Sequence, residues 1–118
     1  MTQPEVIDRA VLSELLMTTG NDSAFLGELI NTYLEDAAGL VAAMARAVSA
    51  ENADALRRAA HSLKSSSASL GARSLASLCE EVERQAGAGA LGDASERVTG
   101  IEVAFSRTER ELRLVHLG

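Results

Sequence analysis

A histidine with small and basic neighbours is the feature of this sequence most suited to chemistry. It lies at position 61 in the segment AHSLKSSSASLGA, residues 60–72. On a helix each residue advances about 100° around the axis, so Lys64 lies about 60° from His61 and Ser65 about 40°. A neutral imidazole nitrogen is a nucleophile near neutral pH, and nearby cations can stabilise a transferring phosphoryl group. The small side chains of Ser65 and Ala68 would let the active site of another protein close over the ring.

Positive charge is concentrated around this histidine. The chain has a net charge of −6, yet residues 52–75 contain four basic residues and one acidic residue, and the remainder has a balance of −9. The four basic residues are Arg57, Arg58, Lys64 and Arg73. Such a patch suits a small anionic group or an acidic pocket on a partner. The overall negative charge argues against nucleic acid as the main partner, because a phosphate backbone requires a basic surface.

The spacing alone leaves a simpler interpretation open, in which His61 is an exposed residue on a solvated helix face. Other candidate residues offer less chemistry. Cys79 lacks metal-ligand companions and falls on an inward stripe, so we expect a small core residue. The serine run 65–67 has no acid–base partner around it, and the glycine-rich loop 87–93 follows no strand. His116 lies near the end of the chain and is interpreted as incidental.

The elements that position His61 are predicted to be helices. Aromatic residues make up only 3% of the 118 residues, the one proline is at position 4, and no segment alternates with the period of two that strands need. Apolar residues recur instead at steps of three and four. The pattern predicts a first helix from Glu5 to Met17, a second from Asn21 or Asp22 to about Ser49, and three more that begin after Asn52, after Gly71 and at Asp93 or Ser95.

These helices cannot bury their apolar stripes alone. We therefore expect one all-α domain spanning residues 1–118, an antiparallel up-and-down four-helix bundle with the short N-terminal helix laid across one end. The inward residues predicted for the second helix include Phe25, which widens its stripe, and those of the fourth helix include Leu78. No apolar run is long enough to span a membrane, and the first residues do not resemble a signal peptide. The single cysteine suits a reducing compartment, so we expect a cytoplasmic protein.

The segment from His61 to Ala72 resembles the signature of histidine-containing phosphotransfer (HPt) domains, in which His-x-Leu-Lys precedes small residues and a Leu-Gly turn. The resemblance continues through Leu75, Cys79, Val82 and Glu83 and upstream through residues 20–33. It implies a helical phosphorelay intermediate that accepts a phosphoryl group from a receiver-domain aspartate and passes it to another. In that family pattern, His61 is the phospho-acceptor, Lys64 neutralises the phosphoryl oxygens, and Glu83 orients the ring.

The resemblance also implies the partners. These are response-regulator receiver domains and a hybrid sensor histidine kinase. The receiver is expected to supply the aspartate and Mg²⁺, so this chain would need no cofactor of its own. We expect the chain to be a monomer and a carrier of the phosphoryl group rather than an enzyme. Ser65 replaces the family's usual glycine, which would narrow the set of partners. A helical adaptor that docks signalling domains without being phosphorylated is the alternative. A hydrolase using His61 as a general base would need a concave pocket, which a convex helix face does not offer.

Receiver docking is expected to combine charge and apolar contact. Arg57 and Arg58 should meet the acidic pocket of the receiver, and Ser65 and Ala68 should lie beneath it. Exposed ion pairs contribute only roughly 0–1 kcal/mol each, so an apolar patch is needed as well. The first helix has more apolar residues than one face requires, and we expect Val11 and Leu12 to lie beside His61 and contact the receiver.

Overall fold

The computed structural model describes residues 6–117, with side chains through residue 114. Within that range the chain forms five α-helices and no strand: α1 (Arg9–Thr18), α2 (Ser23–Ser49), α3 (Ala53–Ser69), α4 (Arg73–Gly87) and α5 (Ala94–Leu117). Both α3 and α5 pack against α2 and α4, so α3 and α5 are diagonal to one another in a four-helix bundle. The expected all-α bundle is confirmed. None of the described helices is both long and apolar enough to cross a membrane.

Side-chain caps mark where the first three helices begin. Asp22 accepts a hydrogen bond from the backbone N–H of Phe25 at the start of α2, and Asn52 accepts one from Ala55 at the start of α3. The helix predicted at residues 6–8 was wrong, because α1 begins at Arg9 with Asp8 as its cap. Ile7 is buried although it precedes α1, so its apolar character indicated packing rather than helix. The predicted start at Glu5 lies outside the described residues.

The core contains one polar contact that joins two helices. The Tyr33 hydroxyl on α2 and the Ser67 hydroxyl on α3 are 2.8 Å apart, and both side chains are buried. Burial raises the pKa of Tyr33 to about 12, so it remains a neutral phenol that can donate. Cys79 is fully buried, and burial raises its pKa to about 12 as well. The expectation of a core cysteine is therefore confirmed.

The short helix α1 is attached to the end of the bundle where α3 turns into α4. The backbone N–H of Asp8 donates to the carbonyl oxygen of Gly71 at 2.8 Å, and the Asp8 carboxylate forms an ion pair with Arg73 at 3.3 Å. Gly71 has φ +83°, and a Cβ there would lie 2.8 Å from the Asp8 carbonyl oxygen. Only glycine allows both this turn and this close approach.

Two residues predicted to face inward lie on the surface instead. Leu78 on α4 is 39% exposed and Phe25 on α2 is 43% exposed. The fully buried face of α4 is formed by its neighbours Leu75, Cys79 and Val82. A corner helix of a bundle buries one stripe, and an apolar pattern wider than that stripe leaves its margin exposed.

Candidate functional site

His61 lies midway along α3 on the face opposite the core. Its side chain is 57% exposed, whereas Ala60 and Leu63 beside it are fully buried. The ring nitrogen Nδ1 is 2.8 Å from Oε2 of Glu83 on α4. A carboxylate can only accept a hydrogen bond, so Nδ1 carries the hydrogen and Nε2 of the neutral ring has a free electron pair. The geometry therefore offers Nε2 as a nucleophile.

Lys64 binds the other oxygen of the same carboxylate. Its Nζ lies 2.6 Å from Glu83 Oε1, and both side chains are partly buried between α3 and α4. The Lys64 ammonium, together with the hydrogen bond from His61, holds the pKa of Glu83 below its usual value. Glu83 in turn raises the pKa of Lys64. One ionised carboxylate thus holds an imidazole and an ammonium group together.

The turn at Gly71 explains how residues distant in sequence meet. His61 and Glu83 are separated by 22 residues, and the antiparallel course of α3 and α4 on either side of that turn brings them level. The sequence places Lys64 on the same side of α3 as His61. It contains no sign that Lys64 contacts Glu83, because that contact depends on how far α4 is shifted along α3.

More of the positive charge in the basic patch is paired with acidic groups than the count of charged residues in the segment 52–75 indicates. Arg57 and Arg58 both form ion pairs with Asp54, at 3.0 and 3.1 Å. The hydrogen bond from Arg57 and the charge of Arg58 lower the pKa of Asp54. Arg73 pairs with Asp8, which lies outside the segment whose charges were counted. The arginines are exposed at the surface but already have acidic partners.

The predicted docking residues differ in their burial. Ser65 and Ala68 are exposed on the His61 side of α3, and Val11 is half-buried. Leu12 is only 4% exposed and belongs to the core. The prediction that Leu12 contributes to a docking surface was wrong, because α1 needs that side chain to pack on the bundle.

A groove that the sequence analysis missed lies between α1, α2 and α3. Its volume is about 510 Å³, and its lining is mostly apolar. The lining residues are Leu15, Phe25, Glu28, Leu29, Thr32, Tyr33, Asp36, Ser66, Ser69 and Leu70. The excess apolar width of the α2 stripe was the available signal. That width predicts additional core, whereas Phe25 lines this groove.

The groove and His61 adjoin one another on α3. From His61, Ser65 lies about 40° around the helix and Ser69 about 80° in the same direction, and Ser69 lines the groove. One margin of the groove therefore lies on the same side of α3 as His61. The side chain of His116 lies outside the described residues.

No group of three or more potential metal ligands occurs among the described residues. The described site brings together a nucleophilic ring nitrogen, an acceptor that fixes the ring, and a neighbouring ammonium. This combination can receive an electrophilic, anionic group such as phosphoryl and stabilise its charge.

The family model of the Hpt domain matches residues 28–114 of this sequence. The chain belongs to the Hpt domain family. A solved structure, that of histidine-containing phosphotransfer protein B from Pseudomonas aeruginosa PAO1, superposes with a TM-score of 0.90 and 27% sequence identity, covering 98% of this chain and 97% of that one. A comparison with curated proteins found no match.

Membership of the Hpt family identifies the chain as a histidine phosphotransfer relay protein. Hpt domains work with receiver domains and kinases in phosphorelays, as carriers of the phosphoryl group rather than as enzymes. The adaptor that is never phosphorylated is not favoured.

Proposed function

We propose that His61 accepts the phosphoryl group on Nε2 from an aspartyl phosphate of a receiver domain and returns it to the aspartate of another receiver. The observation that carries this proposal is the 2.8 Å contact between His61 Nδ1 and Glu83 Oε2, which leaves Nε2 as the nucleophile of an exposed ring. In the first step the Nε2 lone pair attacks phosphorus. The bond between phosphorus and the aspartate oxygen breaks, and its electron pair leaves with the carboxylate.

This chain contributes position and charge to the transfer. Glu83 fixes the ring for in-line attack, and the Lys64 ammonium, which is held at the same carboxylate, would stabilise the charge of the phosphoryl oxygens. The receiver domain supplies the aspartate and Mg²⁺, and the carrier uses no cofactor of its own. We also propose that the protein acts as a monomer in the cytoplasm and that a hybrid sensor histidine kinase feeds the relay.

The receiver is proposed to dock over His61, Ser65 and Ala68 and to extend into the groove between α1, α2 and α3. Phe25 at the edge of the groove replaces Leu12 as the expected apolar contact, since Leu12 is buried. Val11 remains a candidate at the margin of α1. Arg57 and Arg58 would exchange their ion pairs with Asp54 for the acidic pocket of the receiver, which affects orientation and association rate more than affinity.

The experiment that tests the phospho-acceptor compares two histidine variants. The protein is incubated with a receiver domain carrying labelled aspartyl phosphate, and the label on this chain is tested for acid lability and stability in base. The variant His61→Gln should remain helical, because glutamine is a good helix former, and should take up no label. The matched control His116→Gln should be labelled like the wild type. Label on a serine or on His116 in the His61→Gln protein would contradict the proposal.

A further inference from the structure

One carboxylate holds both groups on which the proposed transfer depends. Glu83 Oε2 is 2.8 Å from His61 Nδ1, and Glu83 Oε1 is 2.6 Å from Lys64 Nζ. In this unphosphorylated state the ammonium is bound to Glu83. The phosphoryl group forms on Nε2, the other ring nitrogen, so a contact of the ammonium with that group competes with its ion pair to Glu83.

The charges at the site change in a defined way during transfer. A neutral imidazole that attacks through Nε2 uses that lone pair for the new bond to phosphorus, and Nδ1 keeps its proton. The ring therefore becomes cationic while the phosphoryl oxygens carry the negative charge. Before the transfer the carboxylate faces a neutral ring and a cation. After the transfer it faces a cationic ring, and an anionic group has appeared on the other nitrogen of that ring.

We propose that Glu83 exchanges partners during phosphoryl transfer, releasing the Lys64 ammonium to the phosphoryl oxygens while its negative charge is balanced by the imidazolium that forms on His61. This inference rests on the proposed function of His61. The exchange requires no movement of a helix. The lysine stem has four flexible carbons, and the side chain is partly exposed, so it can rotate away from Glu83.

A carboxylate at position 83 can do more than orient the imidazole ring. A glutamine could accept the same hydrogen bond from Nδ1 and orient the ring equally well. It could not hold the lysine as an ion pair or balance the charge of an imidazolium. With a carboxylate, the lysine is held beside the ring in the resting state and its departure is coupled to the formation of the phosphohistidine.

A double-mutant cycle on the transfer rate tests the exchange. The rate of phosphoryl transfer from a phosphorylated receiver is measured for the wild type, Lys64→Ala, Glu83→Gln and the double variant. Lys64→Ala should slow transfer about ten- to a thousandfold in the wild-type background. In the Glu83→Gln background the lysine has no ion pair to give up, so Lys64→Ala should slow phosphoryl transfer by a larger factor than in the wild type. The slowing should be about two- to fivefold larger, the factor that corresponds to one surface ion pair.

Glu80→Gln is the matched control. Glu80 is exposed on α4 three residues before Glu83, and its charge acts on Lys64. Neutralising it removes the same charge from the same helix without touching the ring. In the Glu80→Gln background, Lys64→Ala should slow transfer as much as it does in the wild type. Circular dichroism should show that all variants keep their helicity, since none of the substituted side chains belongs to the buried core.

The outcomes separate this inference from the function on which it rests. An equal slowing in the two backgrounds would mean that Lys64 acts independently of Glu83. A smaller slowing in the Glu83→Gln background would mean that Lys64 acts only while bound to Glu83. Either result overturns the exchange and leaves His61 as phospho-acceptor. Absence of label on the wild-type protein, seen before any variant is compared, would instead contradict the proposed function.

Discussion

Replacing Gly71 with alanine should destabilise the protein through two separate effects. The backbone at Gly71 has φ +83°, and an L-residue in this left-handed region costs about 1–2 kcal/mol. The new Cβ would also lie 2.8 Å from the Asp8 carbonyl oxygen and 3.2 Å from the Val11 Cβ. To relieve these contacts α1 has to move, and the hydrogen bond from Asp8 N–H to the Gly71 carbonyl is weakened, a further loss of about 0.5–1.5 kcal/mol.

The expected total is a loss of about 1.5–3.5 kcal/mol in the free energy of unfolding. For a chain of this length each kcal/mol lowers Tm by about 3–5 °C, so Tm should fall by about 10 °C. Urea and thermal unfolding followed by circular dichroism at the helix band measure both quantities.

Gly20→Ala provides the matched control for backbone strain. Gly20 has φ +71°, and nothing lies within 4 Å of a Cβ placed there. Its substitution should therefore cost only the strain, about 1–2 kcal/mol. The difference between the two losses in the free energy of unfolding measures how much the contact of α1 with the Gly71 turn contributes to stability. Equal losses of stability in Gly71→Ala and Gly20→Ala would refute the argument that the turn holds α1 in place.

Two further outcomes are expected, one for docking and one for pH. Phe25→Ser should weaken receiver binding about fivefold or more in calorimetry, because the side chain lines the groove. The control Val103→Ser changes a 51% exposed residue on α5, the helix diagonal to α3, and should leave binding unchanged. Similar effects of the two substitutions would exclude the groove as the docking surface. Because the pKa of Glu83 is lowered on folding, its stabilisation is fully present above its ordinary pKa of 4.5 and is lost as pH falls through the lowered value. Urea unfolding should therefore show a stability gap between the wild type and Glu83→Gln that is wider at pH 6 than at pH 3, and a constant gap would contradict this linkage.

Local signals in the sequence determined much of this protein. The caps at Asp22 and Asn52 act on backbone groups within three residues of themselves, so they could be read without knowledge of the fold. The exposure of His61 followed from helical geometry, because Leu63 on the same helix had to face the core. The motif from His61 to Ala72 is continuous in the sequence, and this is why the family could be recognised without the structure.

Only the tertiary structure decided which side chains meet across helices. The joint binding of His61 and Lys64 by Glu83 depends on the axial position of α4 relative to α3, and the sequence pattern contains no measure of that position. The same holds for Asp8, whose backbone N–H binds the Gly71 carbonyl oxygen and whose carboxylate pairs with Arg73 and so neutralises part of the basic patch. An apolar stripe shows that a helix packs but not how wide its covered face is. For this reason Phe25, which was expected in the core, is exposed, and Leu12, which was expected to contact the receiver, is buried.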